Sequence, residues 1–150
     1  MPGCPGVGPR LRLRATSSAT RRLLRESAAV PVGTAAPDVD GRAREAAGTG
    51  LSPPDLALAL ARAKAESVAA RHPGRIVLGA DQVLDLDGTV FHKPADARAA
   101  RAQLALLSGR THALHSAVVL AGAVRDAFVE TARLTLRPPA LGRAAGRARV

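Results

Sequence analysis

The strongest hydrophobic pattern in the chain is helical and runs from Asp55 to His72, where apolar residues recur at spacings of three and four. The Pro73-Gly74 pair that follows is typical of a helix end. A second helix is predicted from Pro94 to about Leu107. A third is predicted over residues 17–24, whose two leading serines are suitable N-cap residues.

Alternation of apolar and polar residues predicts most of the strands, and a short apolar run predicts the buried strand Ile76–Ala80. They lie at Leu11–Ala15, Ile76–Ala80, Val83–Leu86, Thr89–His92, Thr111–Ala121 and Phe128–Arg137. Asp87-Gly88 is a strong signal for a two-residue hairpin turn between the third and fourth of these strands. Residues 33–54 are rich in Gly, Pro, Asp and Ala and predict a loop. Helices interleaved with strands predict an α/β fold, and the hairpins predict a mixed sheet.

A chain of 150 residues has the size of one domain, and its composition excludes several classes of protein. The single cysteine, Cys4, cannot form an intrachain disulfide and offers no thiolate cluster for zinc. No apolar run approaches the roughly 18 residues of a membrane span. We therefore expect a cytosolic globular domain over residues 10–137, between a disordered leader at 1–9 and an aberrant or disordered tail at 138–150.

The formal net charge of +10 is concentrated at the two ends of the chain. Residues 1–25 and 138–150 contain nine arginines and no acidic residue, which leaves 13 basic and 12 acidic residues between them. Phe91 and Phe128 are the only aromatic residues of the sequence, so few side chains could stack on bases. The composition therefore argues against a dedicated nucleic-acid binder.

One lysine lies on the apolar side of the strongest helix. At 100° per residue, Lys64 falls in the middle of the apolar stripe, whereas Arg62 and Glu66 lie on the opposite side. Burying an isolated ammonium costs on the order of several kcal/mol. Lys64 therefore either extends past a thin core into solvent or faces an anionic ligand in a cleft.

Asp81 comes directly after the apolar segment Ile76–Ala80. Because ligands of α/β proteins bind beyond the carboxyl ends of strands, this carboxylate is either a loop or cap residue or a chemical group of a site. If Asp87-Gly88 is the hairpin turn, Gln82 faces Lys93 and Asp81 lies beside Lys93. A carboxylate, an amide and an ammonium would then converge.

Together with a turn at Ser18 and Arg21, these residues suit polyphosphate chemistry. Cations and a helix N-terminus bind phosphates, while a carboxylate binds a divalent metal or deprotonates water. The chain contains no Walker loop and no GxGxxG motif. His112 and His115 are three residues apart on a predicted strand, so they point to opposite faces and are not a metal-binding pair.

These residues occur in the order of a known family. The motifs are Ser18-Ala19-Thr20-Arg21-Arg22, Asp40 after Pro37, Lys64-Ala65, Gly79-Ala80-Asp81-Gln82, Lys93-Pro94 and Leu107-Ser108-Gly109-Arg110-Thr111-His112. From about Leu11 to Arg137 the chain resembles the Maf family of nucleoside triphosphate pyrophosphatases. The resemblance implies an α/β fold akin to inosine triphosphate pyrophosphatases, with a mixed sheet, flanking helices and a central cleft between two lobes.

The resemblance also implies roles for individual residues. Asp81 matches the general base and a ligand of Mg²⁺ or Mn²⁺, which would be the cofactor. Ser18 and Arg21 match the phosphate-binding turn, and Lys64 and Lys93 match the lysines of the cleft. Thr20 and Gln82 stand at the specificity positions, and Gln82 is similar to the subgroup that acts on 7-methyl-GTP. The reaction implied is hydrolysis of a nucleoside triphosphate to the monophosphate and pyrophosphate.

Two departures from the family pattern give rise to the alternatives. Asp40-Gly41 stands where family members usually have Asp-Glu, and the sequence after Arg137 does not resemble the helices and strands with which the family continues. We therefore expect a frameshifted or truncated member that lacks the final elements. The alternatives to an active cytoplasmic enzyme, whether monomer or homodimer, are an inactive member with a binding or cell-division-regulating role and a basic-ended nucleic-acid binder.

Overall fold

The computed structural model describes residues 13–15, 22, 26, 32–38 and 50–138. The strands are β1 (Leu13–Ala15), β2 (Val32–Thr34), β3 (Ile76–Leu86), β4 (Thr89–Phe91), β5 (Thr111–Gly122) and β6 (Asp126–Thr135). The helices described in full are α1 (Pro53–Ala69) and α2 (Ala97–Leu107). The predicted leader, and the predicted tail after Pro138, lie outside the described residues.

Helix α1 begins slightly before its predicted start because of its cap. Ser52 is the N-cap residue, and its Oγ accepts a hydrogen bond from the backbone N–H of Asp55 at 3.4 Å. Two prolines occupy the first helical positions, where a missing N–H costs nothing. The helix ends at Ala69 rather than at His72. In α2, Asp96 is the N-cap residue, so this helix begins at Ala97 rather than at Pro94.

The strands form one mixed sheet, which confirms the predicted α/β class. The order is β2-β1-β3-β5-β6, and β4 pairs with β3. Strand β1 is parallel to β2 and β3, whereas the other pairs are antiparallel. The prediction of a loop from residue 33 is wrong for β2, because three residues are too few to show a strand period.

Strand β3 is longer than either of the two strands predicted in its place. It runs without a break from Ile76 to Leu86. Strand β5 pairs with it from Ile76 to Asp85, and this continuous ladder keeps the backbone extended through the polar residues Asp81 and Gln82. The prediction that one strand ends before Asp81 is therefore wrong.

The core lies between α1 and one face of β3 and β5. All five residues predicted for the apolar stripe of α1 are buried, namely Leu56, Ala57, Leu60, Ala61 and Val68. They pack with Val77 and Val83 of β3 and with Val119 of β5. Within the described part of the chain, neither helix has the length and apolar character needed to span a membrane.

A matched pair of leucine substitutions tests this description of the core. Leu60 is 3% exposed and Leu104, on α2, is 49% exposed. Leu60→Ala should lower the free energy of unfolding by about 2–5 kcal/mol, because it leaves a cavity under α1. Leu104→Ala should change it by no more than about 0.5 kcal/mol. Urea denaturation measures both, and equal losses would contradict the description.

Candidate functional site

The centre of the candidate site is an ion pair between α1 and β3. Lys64 Nζ lies 3.0 Å from Asp81 Oδ2, and the two side chains are 26% and 19% exposed. The sequence left two environments open for Lys64, and neither predicted that its immediate partner is a carboxylate of the protein itself. The structure thus joins two of the residues that were predicted to share a site.

The second oxygen of Asp81 is also held. The backbone N–H of Gln82 donates a hydrogen bond to Asp81 Oδ1 at 3.0 Å. A carboxylate with one donor on each oxygen has a fixed orientation, and each oxygen retains a further lone pair. Asp81 is therefore a positioned acceptor with remaining capacity for a proton or a metal.

The edge of β3 beside Asp81 is open among the described strands. On this edge β1 pairs with residues 76–78 and β4 pairs with residues 84–86, while β5 occupies the other edge. Leu78 and Leu84 bound a gap of about 20 Å at ~3.3 Å per residue. Asp81 lies at its centre.

Both flanking strands end at this gap. Strand β1 runs parallel to β3 and ends at Ala15 opposite Leu78, whereas β4 runs antiparallel and ends at Phe91 opposite Leu84. Asp81 thus lies beside the ends of two neighbouring strands although it is in the middle of its own strand.

The predicted phosphate-binding and specificity residues that follow β1 in the sequence are not among the described residues. Ser18, Thr20 and Arg21 lie outside the described residues, as does Asp40. Chain order brings the segment from Ser18 to Arg21 three residues after the end of β1. Its part in the site stays a prediction.

The position of Lys93 agrees with only part of its prediction. The hairpin pairs Leu86 with Thr89 and Leu84 with Phe91, which confirms the predicted register. The ladder stops at Phe91, so the predicted pairing of Gln82 with Lys93 is wrong. Lys93 is exposed and follows the end of β4 by two residues. A contact between Lys93 and Asp81 stays a prediction.

The side chain of Gln82 points away from Asp81. Successive residues of a strand face opposite sides of the sheet, and Gln82 Nε2 donates a hydrogen bond to Ser116 Oγ at 2.9 Å. The predicted convergence of this amide with the carboxylate is therefore wrong. Sequence patterns gave no signal for Ser116, because its contact depends on the register of β3 with β5.

A second polar cluster lies on the same face of the sheet as Asp81. The buried ring of His115 lies between two partners, with Nε2 3.4 Å from Asp85 Oδ2 and Nδ1 2.8 Å from Thr131 Oγ1. Asp85 Oδ1 also accepts the backbone N–H of Gly88 at 2.7 Å. The cluster joins β3, β5, β6 and the hairpin turn, and His112 faces the other side of β5 as predicted.

A groove of about 610 Å³ lies elsewhere, between α1 and the end of the β5–β6 hairpin. Arg62 and Glu66 line one wall, and Arg125 and Asp126 line the other. Of the predicted site residues that the structure describes, none contributes to it. It lies on the flank of α1 opposite to Lys64, so it is not the predicted substrate cleft.

A double-mutant cycle tests the pair of Lys64 and Asp81. Combining Lys64→Gln and Asp81→Asn should reveal a coupling of about 1–3 kcal/mol in the free energy of unfolding, because both charges are largely shielded from water. The exposed pair of Arg110 and Asp87 is the control, with side chains that are 50% and 70% exposed. Its cycle, from Arg110→Gln and Asp87→Asn, should give less than about 1 kcal/mol. A weaker coupling for the first pair than for the second would contradict the geometry.

The chain is similar to known proteins over most of its length. Residues 10–142 match the family described as Maf-like protein. The chain is 50% identical over 117 residues to a 7-methyl-GTP pyrophosphatase of Mesorhizobium japonicum, across 77% of this chain and 57% of that protein. It is 45% identical over 127 residues to the protein of the same name from Brucella abortus biovar 1, across 82% of this chain and 64% of that one.

The chain is also similar to a third curated protein and to one solved structure. A nucleoside triphosphate pyrophosphatase of Rhodopseudomonas palustris is 42% identical over 133 residues, across 87% of this chain and 66% of that protein. A crystal structure of a nucleoside-triphosphatase, or dITP/XTP pyrophosphatase, from Mycobacterium abscessus is 23% identical with a TM-score of 0.44, across 81% of this chain and 71% of that one. The chain spans about 57–66% of the length of these three curated relatives. With a family match over most of its residues, this chain belongs to the Maf family.

Proposed function

We propose that the chain is a nucleoside triphosphate pyrophosphatase that acts in the cytoplasm. The observation that carries the proposal is the pair of Lys64 and Asp81 at the gap where β1 and β4 both end. An ammonium beside an open stretch of sheet edge suits a substrate with a chain of phosphates, and a carboxylate there suits a metal ion or a water molecule. The names of the relatives, 7-methyl-GTP pyrophosphatase and nucleoside triphosphate pyrophosphatase, support the same reaction.

Asp81 accepts the proton of the attacking water in this proposal. Its carboxylate is held by Lys64 and by the backbone of Gln82, so a lone pair is directed without rotation of the side chain. The water attacks a phosphorus of the anhydride bridge between the α- and β-phosphates, and breaking of the P–O bond in this bridge releases pyrophosphate and the nucleoside monophosphate. A positioned base of this kind contributes roughly 10²–10⁴-fold to a rate.

Lys64 has two partners in this proposal, first Asp81 alone and then Asp81 together with the substrate. Before substrate binds, its ammonium is paired with Asp81. The three N–H donors of an ammonium allow it to contact a phosphate oxygen as well, and this contact stabilises the negative charge that develops there. Lys93 and the segment from Ser18 to Arg21 supply further positive charge and hydroxyl donors as the family resemblance implies.

A divalent metal, Mg²⁺ or Mn²⁺, belongs to the proposal. Within the described part of the chain, no three His, Cys, Asp or Glu side chains are grouped to hold an ion. Mg²⁺ usually takes one or two carboxylates and completes its coordination with substrate phosphates and water. Asp81 fits the role of such a single protein ligand, because its oxygens retain lone pairs. The metal would neutralise charge on the phosphates.

The preferred substrate is proposed to be a modified guanine nucleotide of the 7-methyl-GTP type. The residue after Asp81 is glutamine, which resembles that subgroup, and two of the relatives described above carry its name. The amide of Gln82 contacts Ser116 on the other face of the sheet, so it would have to leave this partner to contact a base beside Asp81.

The decisive measurement is pyrophosphate release from a nucleotide panel with Mg²⁺ or Mn²⁺. Asp81→Asn should lower kcat by about 10²–10⁴-fold with a smaller change in KM, because the proton acceptor is lost while the phosphate contacts remain. Asp126→Asn is the matched control. Asp126 Oδ1 also accepts the backbone N–H of the next residue, at 2.8 Å, and Asp126 has no ion pair among the described residues.

The control should retain wild-type kcat. Wild-type release of phosphate instead of pyrophosphate, or equal activity of Asp81→Asn and wild type, would contradict the proposal. Within the panel, 7-methyl-GTP should give a higher kcat/KM than GTP, dTTP and UTP. A preference for dTTP or UTP would contradict the substrate assignment and leave the reaction standing.

A further inference from the structure

We propose that Gly79 is a positioning residue for the pair of Lys64 and Asp81. The proposal rests on the function above only for its activity readout. Gly79 lies on β3 two residues before Asp81 and faces α1. It is buried, and its φ angle is not in the positive region that requires glycine. Glycine is therefore needed here for space and not for backbone conformation.

The space at Gly79 is filled by the backbone of α1. A Cβ atom on Gly79 would lie 2.4 Å from the carbonyl oxygen of Ala61 and 2.8 Å from both the N and the Cβ of Ala65. Contacts below 3.0 Å essentially do not occur for real Cβ atoms, and two of these three neighbours are backbone atoms. Any side chain at residue 79 would therefore move the helix away from the strand.

The residues of the ion pair are adjacent to this contact on both elements. Lys64 directly precedes Ala65 and follows Ala61 by three residues, so it is on the helical turn that touches Gly79. Asp81 is on the same face of β3 as Gly79, because the two are separated by one residue. The separation of Lys64 Nζ and Asp81 Oδ2 thus depends on how closely α1 lies on β3.

The surrounding helix surface is built for the same close approach. Ala57, Ala61 and Ala65 recur every four residues along α1, and none of them is exposed to solvent. Small side chains in such a row allow a helix to pack close to its neighbour. Larger residues at these positions would fill the core equally well but would lift Lys64 away from the carboxylate.

The test compares Gly79→Ala with Leu60→Ala, which destabilises the same interface by removing atoms rather than by inserting one. The double-mutant cycle of Lys64→Gln and Asp81→Asn is measured by urea denaturation in both backgrounds. In Leu60→Ala the coupling should stay near its wild-type value. In Gly79→Ala it should fall below a third of that value, and an unchanged coupling would overturn the proposal.

A second variant covers the case in which Gly79→Ala does not fold. Gly79→Ala combined with Ala65→Gly removes the contact between the two Cβ atoms and keeps the contact with the Ala61 carbonyl. The coupling should again fall below a third of its wild-type value in this variant, and a retained coupling would again overturn the proposal.

Activity supplies the readout that a purely structural role would not change. At a temperature where both variants are folded, Gly79→Ala should lower kcat at least tenfold, because small displacements of reacting groups lower the rate strongly. Leu60→Ala should retain kcat within twofold. Equal kcat values would overturn the catalytic consequence. If wild type releases no pyrophosphate, the proposed function fails, and the coupling measurement still decides the role of Gly79.

Discussion

The close contact of α1 with β3 at Gly79 is the constraint on which the rest of the site depends. The backbone of the helix fills the space that a side chain would need, and Ala61 and Ala65 form the opposing surface. This packing brings an ammonium from one element within 3.0 Å of a carboxylate from the other. The pair is shielded enough to be coupled, and it keeps enough exposure to receive a ligand.

The sheet provides the second condition, which is an unpaired strand edge beside Asp81 among the described strands. Strand β3 is paired along one edge by β5 over almost its whole length, but the other edge is divided between β1 and β4. Asp81 lies where neither of them reaches. A continuous central strand therefore holds the carboxylate in place, while the interrupted edge leaves its backbone unpaired among the described strands. In many α/β proteins a site residue lies just after the end of its own strand. Asp81 instead lies within β3, and it is the neighbouring strands β1 and β4 that end beside it.

Polar contacts away from the gap join β3 and its hairpin turn to β5 and β6. The ring of His115 joins Asp85 of β3 to Thr131 of β6, and Asp85 also accepts a backbone hydrogen bond within the hairpin turn. An ion pair between Arg110 and Asp87 connects that turn to the beginning of β5. These contacts fix the hairpin whose last strand leads to Lys93.

The sequence by itself determined most of the described elements and the two residues of the ion pair as members of one candidate site. The helical period of α1, its buried stripe and the inward position of Lys64 are local properties of one segment, and the Asp87-Gly88 turn determined the hairpin register through its two-residue length. Tertiary structure decided the rest. The ladder with β5 made one strand out of two predicted ones and turned Gln82 toward Ser116, and close packing at Gly79 selected Asp81 as the partner of Lys64. Such contacts join residues far apart in the chain, so the period or spacing of residues within one segment does not predict them.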